Sequence, residues 1–391
     1  MRSYPYSRSQ ISQKVGQLVT WLSMDASMVP LEQVTASWSE TDWVLLQLAM
    51  LMQGVGPLLF WHWKEQRILD QLPPQIQNWL VQQYELNSQR MNRMQEELLL
   101  ILLLTNKAGM RVMPLKGSWL AWHSYQQPGL RPMADLDLLI DSQDRERLYP
   151  ILESLGYVFE PADSNVHSQH MVFKRPGSKV VSLEGEHPDN PRPVEVHWQL
   201  RKGVWGDLSQ CDLTESMWVN AQQVEWCGVQ IWRPEPSALA EYIAAHAIFH
   251  LLFYTGRLIQ WVDLAYAANE IESCSPMYPN LFYAGLRITE RALPTYLEQD
   301  AGIYSKLAHP RIVRWADDVP LDGRCGLTLG PPPFLVSRQH LHMTRWWPTR
   351  WRVRLGYYKS PLAISYIRHI WSWLVRLWEK SLLRTSDDWH W

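Results

Sequence analysis

Two aspartates near the middle of the chain have a spacing that suits a divalent cation. Asp135 and Asp137 are two residues apart, and the apolar residues beside them predict a strand over about 136–140. Because side chains alternate between the faces of a strand, both carboxylates project from the same face. Neighbouring carboxylates repel each other, and a divalent ion between them removes that repulsion. All-oxygen ligands favour Mg²⁺, so the pair predicts a site for Mg²⁺ (or Mn²⁺).

A third carboxylate follows in the segment PVEVHW. Glu195 lies between two valines in a predicted strand, and His197 lies two residues further on, on the same face. Two metal ions on three carboxylates can activate an attacking hydroxyl and neutralise a leaving polyphosphate. We therefore predict that Asp135, Asp137 and Glu195 form one metal-binding and catalytic set.

A predicted strand-to-helix turn precedes the aspartates. Gly117 and Ser118 follow the short strand RVMPLK and open the helix SWLAWHSY. A glycine in such a turn lets backbone N–H groups approach a phosphate at the helix N-terminus, and Ser118 adds a hydroxyl donor. Lys116 and Arg131 are cations close in sequence to the turn. We expect these four residues to bind a nucleotide.

The ordered set of motifs resembles the polymerase-β-like nucleotidyltransferase superfamily. The segments LKGSWLAWHSY, PGLRPMADLDLLI and VEVHW are similar, more closely, to a family of uncharacterised bacterial nucleotidyltransferases. The resemblance covers most of residues 95–270. It implies a Mg²⁺-dependent enzyme that transfers a nucleoside monophosphate from an NTP to a hydroxyl-type acceptor and releases pyrophosphate.

The resemblance also implies roles for individual residues. Asp135 and Asp137 would bind both metals, Glu195 would complete the catalytic metal site and help to deprotonate the acceptor, and Gly117 with Ser118 would hold the triphosphate. We therefore expect Asp137→Ala to abolish transfer while the chain still folds.

Histidines in a later helix are candidates for the acceptor side of the site. His246 and His250 are four residues apart on one helix face, with Arg257 nearby. A zinc-protease motif needs glutamate at position 247, where Ala247 stands, so that class is excluded. The resemblance implies that these residues, with His197, form an acceptor pocket. Two core histidines that hold neighbouring helices together are the alternative interpretation.

The pattern of elements predicts three regions. Residues 1–106 have helical periodicity, residues 107–235 mix strands and helices, and residues 236–391 return to helices with a basic, Trp-rich tail. This order predicts an α/β (α+β) core with a mixed sheet between two helical domains. Among the strands, we expect one at 179–185 (KVVSLEG).

Composition limits the possible classes of protein. With 391 residues, of which 46% are hydrophobic, the chain can bury a large core and is not disordered. Its 37 basic and 39 acidic residues exclude a uniformly charged protein, and no RNA-reading motif is present, so nucleic acid is an unlikely partner. Four cysteines without metal-site spacing and the lack of a long apolar run predict a cytoplasmic protein.

The C-terminal segment 345–384 has a separate character. It contains nine Lys or Arg residues and one acid. In its last helix, apolar residues fall in one arc and basic residues on the opposite half: the apolar set is Ile367, Ile370, Trp371, Leu374 and Trp378, and the basic set is Arg368, Arg376, Lys380 and Arg384. Peripheral membrane contact or a polyanion-binding face is one interpretation. The other is a packed helix with a solvated outer side.

A different class of function stays open from the sequence. The chain has 23 tryptophans, a residue type that suits interfaces as well as cores. A non-catalytic nucleotide-binding or scaffold protein that holds a partner through its Trp-rich helical regions is therefore the alternative to an enzyme.

Overall fold

The structure is a computed structural model. It describes residues 8–23, 31–160, 170–182, 187–202, 206–208, 211–252, 256–319 and 350–382. The basic residue Arg384 lies outside these ranges.

Helices form most of the chain on both sides of a central sheet. The N-terminal helices are α1 (Arg8–Ser23), α2 (Leu31–Thr35), α3 (Glu40–Gln53), α4 (Gly56–Glu65) and α5 (Pro74–Lys107). The helices among the strands are α6 (Gly117–His123), α7 (Arg145–Ser154) and α8 (Thr214–Val219). The C-terminal helices are α9 (Pro236–Leu252), α10 (Leu258–Asn269), α11 (Pro279–Ala292), α12 (Pro310–Asp318), α13 (Arg350–Gly356) and α14 (Leu362–Leu382).

Five strands form the main sheet, and two short hairpins follow it. The sheet strands are β1 (Val112–Pro114), β2 (Leu136–Ile140), β3 (Val158–Glu160), β4 (His170–Lys174) and β5 (Val194–His197). Their order is β1-β2-β5-β4-β3, in which only β2 and β5 run parallel. The hairpins are β6 (Arg201–Lys202) with β7 (Cys211–Asp212), and β8 (Gln222–Trp226) with β9 (Val229–Arg233). The predicted mixed α/β core with helical flanks is confirmed.

One apolar core joins the sheet to both sets of helices. Leu46 of α3, Leu98 of α5, Leu138 of β2 and Leu264 of α10 belong to the same buried cluster. Helix α5 ends and α9 begins close to the expected domain boundaries. Because the core is continuous, the division into three domains describes the element order, and independent folding of each part stays a prediction.

The strand that we expected at 179–185 is wrong for residues 179–182, which form no strand. The Asn190 side chain accepts hydrogen bonds from the backbone N–H groups of Val181 and Ser182, at 2.8 and 3.0 Å, and donates to the Ser182 carbonyl at 2.8 Å. Backbone groups satisfied by a side chain have no need of a neighbouring strand. The competition explains why β-branched residues here do not extend the sheet.

Two general features bear on earlier expectations. In the described part of the chain, no single helix is both long and apolar enough to cross a bilayer, although α3 and α4 together meet that test as a pair bent by 111°. Cys211, Cys227 and Cys274 are free thiols.

Arg90 of α5 connects the two loops that lead into β2 and β5. Its side chain is 1% exposed and donates to five backbone carbonyls at 2.9 to 3.3 Å. Two carbonyls belong to residues 133 and 134, just before β2, and three to residues 187, 190 and 191, just before β5. A planar guanidinium with five donors is the side chain that can satisfy so many acceptors at once.

We expect Arg90→Lys to lower the free energy of unfolding by about 3 to 5 kcal/mol, because three donors cannot replace five and buried carbonyls lose their partners. Urea denaturation monitored by circular dichroism measures this loss. The matched control is Arg93→Lys, one turn along α5, because Arg93 is half-exposed and pairs with Asp189 at the surface. Equal, small changes in both variants would contradict a special role for Arg90.

Candidate active site

The parallel pairing of β2 with β5 brings the predicted acidic residues together. Asp137 lies directly opposite Glu195 in the register, and Leu139 lies opposite His197. All five residues of β2 are buried, and their apolar side chains hold the strand in the core. Glu195 and His197 share one face of β5, as strand alternation predicts, and the register places Asp137 on the same face of the sheet.

One carboxylate oxygen of Asp137 lies close to two polar side chains. Asp137 Oδ1 lies 2.6 Å from Lys116 Nζ and 2.9 Å from His197 Nε2. The Glu195 carboxylate is next to this pair, 3.8 Å from His197 Nε2. Asp137 and His197 are buried, whereas the Glu195 side chain is partly exposed. The carboxylates thus lie at the boundary between the core and solvent.

Two neighbouring aspartates have opposite electrostatic environments. Burial disfavours the charged form of Asp137, but Lys116 and His197 outweigh this effect, so the pKa of Asp137 lies well below its usual range. Burial, with repulsion from Asp137 and Glu195, raises the pKa of Asp135 from 3.8 to about 7. Burial lowers the pKa of Lys116, yet the attraction of Asp137 dominates and raises it overall. Asp137 and Lys116 are therefore an ion pair, and Asp135 resists ionisation beside it.

The donor atoms of this cluster suit a divalent cation. Asp137, Glu195 and His197 each offer one ligand atom, and these atoms lie within 4.8 Å of one another. Two carboxylates and an imidazole suit Mn²⁺ or Zn²⁺ at least as well as Mg²⁺, because imidazole nitrogen is a softer donor than oxygen. Asp135 is not part of this group of three in the described residues, although its charge interacts with Asp137 and Glu195. This group of possible ligands differs from the predicted set, because it contains His197, which we had placed in the acceptor pocket, and does not contain Asp135.

The turn between β1 and α6 has an unusual backbone. Lys116 has φ 48° and ψ −125°, in a region that favours glycine. A Cβ added to Gly117 would lie 2.5 Å from both Arg131 Nη1 and Met133 Sδ, so a larger residue there would require these side chains to move. The Ser118 hydroxyl is buried and accepts the N–H of Asp137 at 2.8 Å. The turn is therefore attached directly to the strand that carries the aspartates.

Arg131 is placed differently from the other predicted nucleotide-binding residues. Its guanidinium binds the Asp263 carboxylate of α10 through two contacts of 2.6 and 3.2 Å, and Tyr125 also donates to Asp263 at 2.8 Å. This buried ion pair joins the loop before β2 to the C-terminal helices. Its geometry gives Arg131 a structural partner, and a contact with phosphate stays a prediction.

Helix α9 contributes a row of polar side chains beside the acidic cluster. Tyr242 is fully buried, and its hydroxyl faces Lys116. The hydroxyl also interacts electrostatically with the carboxylates of Asp137 and Glu195. Burial raises the pKa of Tyr242, so the phenol is neutral. His246 and then His250 follow at four-residue spacing, with their rings 4.3 Å apart.

The row also contacts α10. His246 Nε2 lies 3.5 Å from Gln260 Nε2 of α10. Arg257, the N-cap of α10, is exposed, and its backbone N–H donates to Gln260 Oε1 at 3.0 Å. Sequence reasoning selected the two histidines but missed Tyr242, which continues the same i, i+4 row and could have been found from it.

One family model matches most of the site-bearing part of the chain. A family model described as "Uncharacterised nucleotidyltransferase" matches residues 39–273, more than half of the chain. The structure has 14% sequence identity and a TM-score of 0.30 to the solution structure of the antibiotic-resistance factor ANT(2'')-Ia, over 53% of this chain and 91% of that one. No curated protein matches the chain at a significant level.

The geometry changes the expectation for the Asp137 variant. Because Asp137 neutralises the buried Lys116, we expect Asp137→Asn to lower the free energy of unfolding of the metal-free protein by about 3 to 5 kcal/mol. Urea denaturation in EDTA at pH 8 measures it. Asp135→Asn is the matched control two residues away, and it should leave stability unchanged or raise it because it removes a repulsive charge. The opposite ranking would contradict the ion pair.

Asp135 also predicts a pH dependence of stability without metal. Its pKa is higher in the folded chain than in the unfolded chain, so the folded state keeps the proton as the pH rises. Its contribution to the free energy of unfolding should therefore decline between pH 3.8 and about pH 7 and then stay level. Denaturation midpoints at several pH values should show that Asp135→Asn declines less than the wild type over this interval. Parallel profiles would contradict the raised pKa.

Proposed function

We propose that this chain, which belongs to the uncharacterised nucleotidyltransferase family and is a nucleotidyltransferase, transfers a nucleoside monophosphate from an NTP to a hydroxyl-type acceptor with release of pyrophosphate. The observation that carries the proposal is the alignment of Asp137, Glu195 and His197 on adjacent parallel strands, beside Asp135 and the turn at Gly117. We propose a cytoplasmic location for the reaction.

We propose that the acidic residues hold a divalent cation, Mg²⁺ or Mn²⁺. Such an ion would lower the pKa of the acceptor hydroxyl and neutralise charge on the polyphosphate. Asp137 is already ionised by its contacts, so it offers a carboxylate without a proton to displace. Glu195 is the more exposed carboxylate and therefore the one that an acceptor hydroxyl can reach, as a general base must.

The nucleotide and the acceptor would contact different elements around this cluster. Lys116, Gly117 and Ser118 lie at the start of α6. The N–H groups of Ser118, Trp119 and Leu120 donate within the turn, so a phosphate there would contact the Lys116 cation and the Gly117 N–H. His246 and His250 of α9 are partly exposed and would line the acceptor pocket next to the buried Tyr242. Their imidazole groups can form hydrogen bonds, which suits a polar acceptor.

Ligand-dependent stability tests the donor site without knowledge of the acceptor. We expect one or more of the four NTPs, with Mg²⁺ or Mn²⁺, to raise the Tm of the wild type, because a ligand that binds only the folded state stabilises it. EDTA should remove the shift, and Glu195→Gln should reduce it. The control is Glu225→Gln on the exposed side of the β8–β9 hairpin, which should shift like the wild type.

Transfer itself is measured with an α-³²P-labelled NTP and pools of candidate acceptors. Glu195→Gln should lower the transfer rate at least about 100-fold, because even the loss of a residue that only hydrogen-bonds to a metal ligand lowers metal affinity or activity about 10- to 100-fold. Glu225→Gln should not change the rate. NTP binding that needs no divalent ion and gives no transfer would instead favour the nucleotide-binding scaffold.

A further inference from the structure

Helix α14 exposes its most apolar side to solvent. Ile364, Ile367, Trp371 and Leu374 are all exposed, with Ile367 at 66% and Trp371 at 68%. At 100° per residue they occupy an arc of about 80° along the helix. The helix of a water-soluble domain normally buries such a stripe, so the orientation of α14 is the reverse of the usual one.

Polar contacts hold α14 in this orientation. Ser365 and His369 are each 1% exposed on the packed side of the helix. Ser365 Oγ donates to the Tyr357 carbonyl at 3.2 Å, and the Tyr357 hydroxyl lies 3.3 Å from His369 Nδ1. Arg368 adds an ion pair of 2.8 Å with Asp207. Rotation of the helix to bury the apolar stripe (Ile364, Ile367, Trp371 and Leu374) would break these contacts. The contacts therefore keep the stripe facing outward.

Basic side chains surround the start of this helix. Arg311 and Arg314 of α12 and Arg354 of α13 line a cavity of about 340 Å³ whose wall continues to Pro361 and Leu362, where α14 begins. Asp318 is the one acidic residue of that wall. An anionic group of the size of a phosphate fits the charge and the volume of this cavity.

The combination of stripe and cations selects among possible partners. A nucleic acid would bind the arginines and leave Ile367 and Trp371 in water. A second copy of the chain, packed stripe to stripe, would bring two strongly basic segments together and repel itself, because residues 345–384 contain nine basic residues and one acid. A bilayer with anionic lipids accepts both features, because its acyl boundary takes the apolar side chains and its headgroups take the cations.

We infer that α14 is a membrane-surface helix that binds this enzyme to bilayers containing anionic lipids, with a lipid phosphate in the cavity of Arg311, Arg314 and Arg354. The stripe would lie at the boundary between headgroups and acyl chains, parallel to the membrane plane. Trp371 suits this depth, since indole combines a large apolar surface with a polar N–H. Trp378, which we predicted to extend the stripe, lies where no side chains are described.

Sedimentation of the full chain with sucrose-loaded vesicles tests the inference. We expect binding to vesicles of phosphatidylcholine with 30% phosphatidylglycerol, and at least about tenfold weaker binding to phosphatidylcholine alone or in 0.5 M NaCl. Ile367→Ser/Leu374→Ser should weaken binding to the anionic vesicles at least about tenfold. The matched control is Val180→Ser/Val181→Ser, two apolar residues that are 62% and 60% exposed on the loop after β4 and should bind like the wild type.

A second variant separates the cavity from the stripe. Arg314→Gln/Arg354→Gln should weaken binding to anionic vesicles and reduce its dependence on salt, while the residual binding to neutral vesicles stays the same. The circular dichroism spectrum and the Tm of this variant and of Ile367→Ser/Leu374→Ser should match those of the wild type, because all four substituted residues are exposed. Blue-shifted tryptophan emission with vesicles, lost in Trp371→Ser, would support insertion of the stripe.

Three results would overturn the inference: no sedimentation of the wild type with anionic vesicles, equal sedimentation of the stripe variant and the wild type, or a stable dimer without lipid that the stripe variant abolishes. The last result, measured by light scattering, would assign the stripe to a second copy. None of these outcomes depends on transfer activity, so the membrane inference and the proposed reaction can fail separately.

Discussion

A charge that is buried in a protein needs a partner, and this requirement organises the structure around Asp137. The carboxylate lies in a sheet strand, where its ionised form would be costly alone, and Lys116 and His197 satisfy it from the turn before α6 and from β5. The buried Arg131 pairs in the same way with Asp263, and this ion pair joins the loop before β2 to α10. The buried charge of Arg90 is satisfied by neutral backbone carbonyls, which joins α5 to the loops before β2 and β5. Each pairing connects parts of the chain that are far apart in sequence, so satisfying the charges also assembles the site.

Local patterns made much of the core predictable. The strand at 136–140, the shared face of Glu195 and His197, and the helices on both sides follow from periods of two and 3.6 residues, which depend only on near neighbours in sequence. Other features depend on partners that sequence does not reveal. The side chain of Asn190 replaces a strand at 179–182, and Arg90 finds acceptors up to 101 residues away. The β8–β9 hairpin was not predicted, although the sequence carries a signal for it. Its turn, Cys227-Gly228, has two positive φ angles and lies between alternating apolar residues.

The family match and the contacts agree on the unit that builds the site. The matched residues 39–273 run from α3 to the segment after α10, across both boundaries that the element order suggested. Helices from either side contribute Arg90, Tyr242 and Asp263 to the loops and strands of the centre. The flanking helices are therefore part of the machinery that shapes the acidic cluster, and the chemistry of the acceptor is to be sought in the residues that α9 presents.

The parallel pairing of β2 with β5 also has a consequence for folding during synthesis. Parallel neighbours need a long connection, and here more than fifty residues of chain, including α7, β3 and β4, lie between the two strands. Contacts between such distant segments form slowly, because the intervening loop must first be closed. The Arg131 ion pair adds a partner at Asp263. On the ribosome, the loop before β2 therefore cannot gain its Asp263 contact until about two thirds of the chain has emerged.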